Sequence, residues 1–166
     1  MPLESKGYLS LKELKDGPAY PSEERFNKAA VAVIECTQEI PCNPCESACP
    51  FGAIKVGEPI TNQPVLDEEK CVGCGVCVAQ CPGLAIFLLD KTYSEGMASI
   101  SFPYEYLPLP EEGHEVIAVD RSGKAVCKGK VIKVDTGKKN DRTTVMTISV
   151  PRDKSEVVRS IKRLGV

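Results

Sequence analysis

The sequence predicts an α+β chain in four parts, and three observations predict it. A cysteine motif occurs twice, 32 residues apart; a later stretch alternates apolar and polar positions between Gly-containing turns; and polar, proline-punctuated segments border both. The expected parts are an N-terminal arm at 1–28, the duplicated unit at 29–90, a Pro-rich connector at 91–114, and a small β-barrel-like domain closed by a helix at 115–166.

With 42% apolar and 27% charged residues over 166 positions, the balance is that of a globular chain. The opening MPLESKGYLS lacks the basic and apolar regions of a signal peptide. No apolar run approaches the roughly 18 residues of a membrane span. The expectation is a cytoplasmic protein with no membrane association. In a reducing compartment its nine cysteines point to metal binding before disulfides.

Residues 1–28 are punctuated by Gly17-Pro18 and Pro21, with one short possible helix from Ser10 to Lys15 that is too short to stand alone. Two readings stay open: a disordered tail, or a segment ordered against the body or another subunit. Tyr8, Leu9, Leu11, Leu14, Tyr20 and Phe26, costly to leave in water, favour the second.

Eight cysteines fall between residues 36 and 81, and Cys127 stands apart as an expected buried small hydrophobe. Shifting the sequence by 32 positions lays Cys42, Cys45, Cys49 and Pro50 on Cys74, Cys77, Cys81 and Pro82, and Ala53-Ile54 on Ala85-Ile86. The second copy, from Cys71 to Pro82, is an unbroken CxxCxxCxxxCP. Three thiolates in a tight CxxCxxC loop can grip three corners of a cubane, while the fourth, a helical turn on, is aimed elsewhere. Gly73 and Gly75 would let backbone N–H groups approach the sulfurs, and the Pro after the last cysteine turns the chain out of the site.

On these motifs, residues 29–90 resemble the bacterial two-[4Fe–4S] ferredoxins. The resemblance implies two [4Fe–4S] clusters and a ferredoxin-type pseudo-twofold dicluster domain of short strands and two short helices. Val31–Ile34 and Pro64–Leu66 suit strands entering the loops, and Ala53–Val56 and Ala85–Leu89 strands leaving them. It also implies that each motif's fourth cysteine serves the other cluster. Cluster two would then take Cys71, Cys74, Cys77 and Cys49; cluster one would take Cys42, Cys45, Cys81 and one further ligand.

That further ligand departs from the family's pattern, because Glu39 stands where a cysteine is expected. Cys36, three residues upstream, can reach the same place through a short expansion, and its soft thiolate suits iron–sulfur chemistry better than a hard carboxylate. Cys36 is taken as the ligand. A [3Fe–4S] or Glu39-ligated site, or no cluster there, are the alternatives. Pro44, without an N–H, and acidic Glu39 and Glu46 suggest that cluster one has the lower potential.

Other metal chemistry fits less well. Zinc ribbons need two CxxC pairs per site, CxxxCxxC is absent, and a Rieske centre needs two histidines where the chain has only His114, in the surface-like PEEGHE. No G-x-S-x-G, phosphate loop or strand-following GxGxxG is present, so no catalytic residue is assigned and substrate turnover is expected to belong to a partner.

Beyond the connector, Glu115–Asp120, Ala125–Asp135 and Thr143–Val150 read as a β-meander, and Val157, Val158, Ile161 and Leu164 behind Pro151 read as a closing helix. Charge divides nearby: residues 1–120 carry a net −11 and 121–166 a net +9. An acidic part suits steering toward a basic redox partner. The basic part could meet phosphates, but no aromatic residue follows Tyr106, so base-stacking platforms are missing and nucleic acid is the weaker reading. The layout also resembles the small iron–sulfur subunits that accompany flavin-dependent amine or amino-acid dehydrogenases of the proline and hydroxyproline type. That resemblance implies an electron-transfer subunit passing electrons from a flavin-containing oxidoreductase subunit to a soluble electron carrier. A free-standing ferredoxin and an iron–sulfur nucleic-acid-binding protein are the competing classes.

Overall fold

The computed structural model describes residues 2–165; Met1 and Val166, the ends of the expected arm and C-terminal part, lie outside the described residues. Three short helices come first: α1 (Pro2–Lys6), α2 (Leu11–Lys15) and α3 (Glu23–Phe26). The duplicated unit follows as β1 (Val31–Ile34), α4 (Pro44–Ala48), β2 (Ile54–Lys55), β3 (Val65–Leu66), α5 (Val76–Gln80) and the start of β4 (Ile86–Ser94). Then come β5 (Met97–Pro103), β6 (Glu115–Val119), β7 (Ala125–Asp135), β8 (Val145–Pro151) and β9 (Ser160–Ile161).

One seven-stranded antiparallel sheet runs in the order β1-β4-β5-β8-β7-β6-β9, beside a two-stranded β2-β3 ribbon. Side chains alternate between its faces. Val31, Val33, Leu89, Ile100, Phe102, Met146 and Ile148 point to the larger core, which Phe26 joins from α3. Ala32, Ile34 and Ile86 point the other way, onto Cys77 and Val78 of α5 and Ile54 of β2. The cysteine loops are thus seated on the second face, at the β1-β4 end. Fully burying a Val, Leu, Ile or Phe contributes about 1.5–3 kcal/mol, so the chain between the loops is firmly held.

The arm is ordered against the body. Ser10 and Glu13 form a capping box on α2, worth about 1 kcal/mol, and Leu14, Ala19 and Phe26 are buried. Ile34 N–H donates to the Ala19 carbonyl (3.3 Å) and Leu66 N–H to the Pro18 carbonyl (3.3 Å), so the arm covers a strand edge that would otherwise invite association. Buried Lys91 of β4 joins Glu23 and Glu156 (3.0 and 2.8 Å) and lies 4.3 Å over the Phe26 ring, fastening arm, sheet and C-terminal segment together.

Two expectations about the C-terminal part are corrected. The sheet does not close into a barrel: β1 and β9 are its two edges and do not pair. Across that gap, Arg121 and Arg159 both reach the carboxylate of Glu35, just past β1. Nor does Pro151–Leu164 form a helix; Arg152–Lys154 makes one 3-10 turn and Ser160–Ile161 adds β9 to the free edge of β6. The spacing that suggested a helix reflects Val158 and Ile161 both entering the larger core from turn and strand. β-Branched residues lose less in extended backbone than in a helix, and an available edge decides the matter.

Beyond the connector the expected strands form, and β6-β7-β8 is the expected meander. β4, however, runs on to Ser94 and returns through Glu95-Gly96 into β5, so part of the expected connector is a hairpin. β5 pairs with β8 over Met97–Pro103, carrying the sheet without interruption from the duplicated unit into the C-terminal strands.

Candidate metal centre

The eight cysteines are gathered four and four. Cys49, Cys71, Cys74 and Cys77 line one cavity, with Ala32, Ile54 and Leu88 as apolar walls. Cys36, Cys42, Cys45 and Cys81 line the other, walled by Ile34, Ile40, Val56 and Ile86. Glu39 is exposed and is not among the residues lining the second cavity. Each cavity therefore receives three cysteines from one loop region and one from the other copy.

The backbone explains the exchange. Cys49 and Cys81 end α4 and α5 in extended conformation (φ −78° and −76°), which carries each away from its own loop. Their sulfurs then accept N–H bonds four residues on, from Ala53 (3.3 Å) and Ala85 (3.4 Å). Between them, Gly52 (φ +63°) and Leu84 (φ +53°) occupy equivalent left-handed positions. At Leu84 that conformation costs roughly 1–2 kcal/mol, which the second copy bears to keep the turn.

The loop of Cys71 is the more tightly built. Gly73 (φ +70°) lies so close to β1 that an added Cβ would overlap the Ala30 carbonyl, meeting its carbon and Cβ at 2.8 Å. Glycine is thus required there for packing against Ala30 as well as for backbone freedom. Gly75 (φ +76°) starts α5. Cys71 Sγ accepts from Ala32 N–H (3.5 Å), and Arg25, which no motif or spacing singles out, donates to the Cys71 carbonyl (2.6 Å). In the first loop Glu46 acts structurally, its carboxylate accepting from Val56 and Gly57 N–H (2.8 and 2.9 Å).

Protonation chemistry shows what the cysteines are suited to hold. Burial, then the nearby Cys71, Cys74 and Cys49, push the Cys77 thiol up to about 12. Burial, then Cys81, push Cys45 up to about 11. Four such thiolates can share a cavity only around positive charge, and coordination to iron deprotonates a thiol outright. Among the described residues no three His, Cys, Asp or Glu are gathered to hold a single metal ion. Thiolates on one zinc stand roughly 3.8 Å apart, whereas those on a cubane bind different irons and spread wider. Soft sulfur donors, four to an apolar cavity with N–H groups turned to sulfur, fit iron–sulfur clusters.

Pro50 and Gly75 also line the first cavity and Pro44 and Pro82 the second, whereas Cys127 and His114 lie outside both. Cys127 sits half-buried on β7, packed against the larger core. His114 is an exposed loop residue facing Glu111 (3.5 Å). No helix of the described residues is long and apolar enough to cross a membrane.

Comparison with known proteins agrees with this geometry. Residues 33–85 match the family described as 4Fe-4S dicluster domain. One component of an ion-translocating oxidoreductase complex of Methanosarcina acetivorans is 48% identical over 59 residues, 36% of this chain and 20% of that protein. The polyferredoxin-like subunit of an aliphatic sulfonate oxidoreductase of Pyrococcus furiosus is 50% identical over 48 residues, 29% of this chain and 27% of its own. A translation initiation factor of Saccharomyces cerevisiae is 26% identical over 129 residues, 70% of this chain and 21% of that protein. The chain thus spans about a quarter or less of these relatives' lengths. No solved structure matches. Residues 33–85 are a 4Fe–4S dicluster domain of the ferredoxin type, the unit that carries two 4Fe–4S clusters and serves iron–sulfur electron transfer.

Proposed function

We propose that the chain is a small electron-transfer subunit of a multi-subunit oxidoreductase, relaying electrons from a flavoprotein partner to a soluble carrier in the cytoplasm. Cluster one is assigned to Cys36, Cys42, Cys45 and Cys81, and cluster two to Cys71, Cys74, Cys77 and Cys49. The observation that carries this reading is the four-and-four gathering of the cysteines, with Cys49 and Cys81 exchanged between copies. When bound, the clusters supply one-electron redox chemistry; the chain supplies ligands, spacing and burial. The relatives that are subunits of oxidoreductase complexes support a partner subunit. A flavin-dependent amine or amino-acid dehydrogenase of the proline or hydroxyproline type is the partner we favour, since the chain has no catalytic motif of its own.

The alternatives are a free-standing ferredoxin and an iron–sulfur nucleic-acid protein. The second draws on the +9 charge of residues 121–166 and the likeness to a translation factor. Native purification without oxygen separates them. A stable complex containing a flavoprotein is the expected outcome; a monodisperse single chain, or one retained on RNA or DNA in a salt-sensitive way, would contradict it.

A further inference from the structure

Of the eight cysteines at the two cavities, Cys74 alone is exposed; the others are half-buried or buried. Around it Phe51, Val72 and Val76 present apolar side chains to solvent, between 44 and 55% exposed, and all three line the cavity of Cys49, Cys71, Cys74 and Cys77.

Beside this collar opens a crevice of about 290 Å³, lined by Cys74, Leu88, Thr147, Lys133, Asp135 and Lys139 among others. Its floor is one row of the sheet, in which Leu88 faces Ser101, Ser101 faces Thr147 and Thr147 faces Lys133; on the other side Leu88 faces Ala32, beyond the crevice. Ala32 and Leu88 also wall the cysteine cavity, so the row leads from those sulfurs to a lysine on β7. The Asp135 carboxylate is fixed by Gly137 N–H (2.9 Å) and stands 3.5 Å from the ammonium groups of both Lys133 and Lys139. One carboxylate thus serves two lysines, themselves 59% and 75% exposed, and the rim keeps a positive charge.

This local sign is that of residues 121–166, which carry +9, and it opposes the −11 of residues 1–120. Net negative charge over residues 1–120 repels a partner with an acidic patch, whereas at this rim, beside Cys74, a carboxylate can take up the unmatched ammonium. An apolar centre beside a charged rim is the anatomy of a transient interface. Resting on the electron-transfer function proposed above, we infer that this face is the docking surface for an acidic one-electron carrier protein, which presents carboxylates to Lys133 and Lys139 and apolar contact to Val72 and Val76. In each encounter the chain is oxidised by one electron and the carrier reduced by one, and no group is transferred.

The test uses the full chain with its clusters. Reduced protein is mixed in stopped flow with tris(oxalato)cobaltate(III), a trianion that presents carboxylates, and with hexaamminecobalt(III), a trication; binding to an acidic flavodoxin is measured by calorimetry. The Lys133→Glu/Lys139→Glu variant is expected to slow the trianion and weaken flavodoxin about ten-fold, and to speed the trication. In the wild type added salt should slow the trianion. Lys124→Glu, roughly 30 Å away at the far end of β7, should change each by less than about two-fold. Equal rates in wild type and double variant, an equal effect of Lys124→Glu, or no flavodoxin binding would overturn the inference. So would self-association or oligonucleotide binding lost in the double variant, which would give the face to a second copy or to nucleic acid. Iron content and spin-resonance signals are read in the same samples: their absence from the wild type would sink the electron-transfer reading itself, whereas intact clusters confine a failure to the docking face.

Discussion

Arg25 donates to the carbonyl of Cys71 at 2.6 Å, and the same guanidinium reaches the carbonyls of Ala29, Ala30 and Glu68 at 2.9 Å each. One side chain of the arm, 6% exposed, thus holds the start of β1 and the start of the second cysteine loop in fixed relation. Lysine cannot reproduce this, because the ammonium lacks the planar fork. Arg25→Ala should cost about 2–5 kcal/mol by leaving buried carbonyls without a donor. Iron release to a chelator in mild urea, followed by spin resonance, should show cluster two failing first; earlier loss of cluster one would refute the role given to Arg25.

Gly73→Ala should prevent cluster two from assembling, since the new Cβ overlaps Ala30 and the backbone is left-handed. Gly57→Ala shares the positive φ (+67°) but meets nothing within 4 Å, so it should cost only about 1 kcal/mol and keep both clusters. Iron analysis of the two variants checks the contrast, and equal retention of iron would show that the clash at Gly73 is absorbed.

A pH dependence follows from Glu156. Burial would raise its carboxyl, but hydrogen bonds from Lys15, Lys91 and Tyr20 outweigh this and hold it at about 2, against an ordinary 4.5. A depressed carboxylate stabilises fully above about pH 4.5, and that stability is lost as the pH falls toward 2. Glu156→Gln should therefore cost about 2–3 kcal/mol at pH 7, the figure being reduced for the partly exposed Lys15. Urea unfolding from pH 7 downward should show wild type and variant converging below pH 4.5; a constant gap would exclude the linkage.

The two clusters should differ in potential. The Cys71 sulfur accepts from Ala32 N–H, Cys74 is exposed, and Lys133 and Lys139 stand nearby, all of which favour the reduced state of cluster two. Around cluster one, Glu39 remains exposed. A redox titration by spin resonance should find the cluster of Cys36, Cys42, Cys45 and Cys81 reduced last, and reduction of that cluster first would contradict this.

The 32-residue repeat made the site legible, because ligand spacing is local and survives in a single sequence. Strand periodicity located β1, β6 and β7 for the same reason. What the sequence hid depends on distant partners. Arg25 looks like any surface arginine until the carbonyls of Glu68 and Cys71 fold onto it. Glu35 carries no local signal beside Cys36, yet it takes Arg121 and Arg159 across the open seam. The false helix at Pro151–Leu164 arose likewise: apolar spacing reports burial, and only the free edge of β6 turns Ser160–Ile161 into strand. The charge of residues 121–166 carried no sign that Lys133 and Lys139 would line one crevice with Cys74, since that crevice spans β4, β5, β8 and β7.

The central claim is that eight cysteines, four to a cluster with Cys49 and Cys81 exchanged, hold two clusters and that Cys36 completes the first. Iron counting and spin resonance on anaerobically purified wild type, Cys36→Ser and Glu39→Ala test it most directly. The account predicts about eight iron per wild-type chain, loss or conversion of cluster one alone in Cys36→Ser, and an unchanged Glu39→Ala. Full iron in Cys36→Ser together with a damaged first cluster in Glu39→Ala would contradict it.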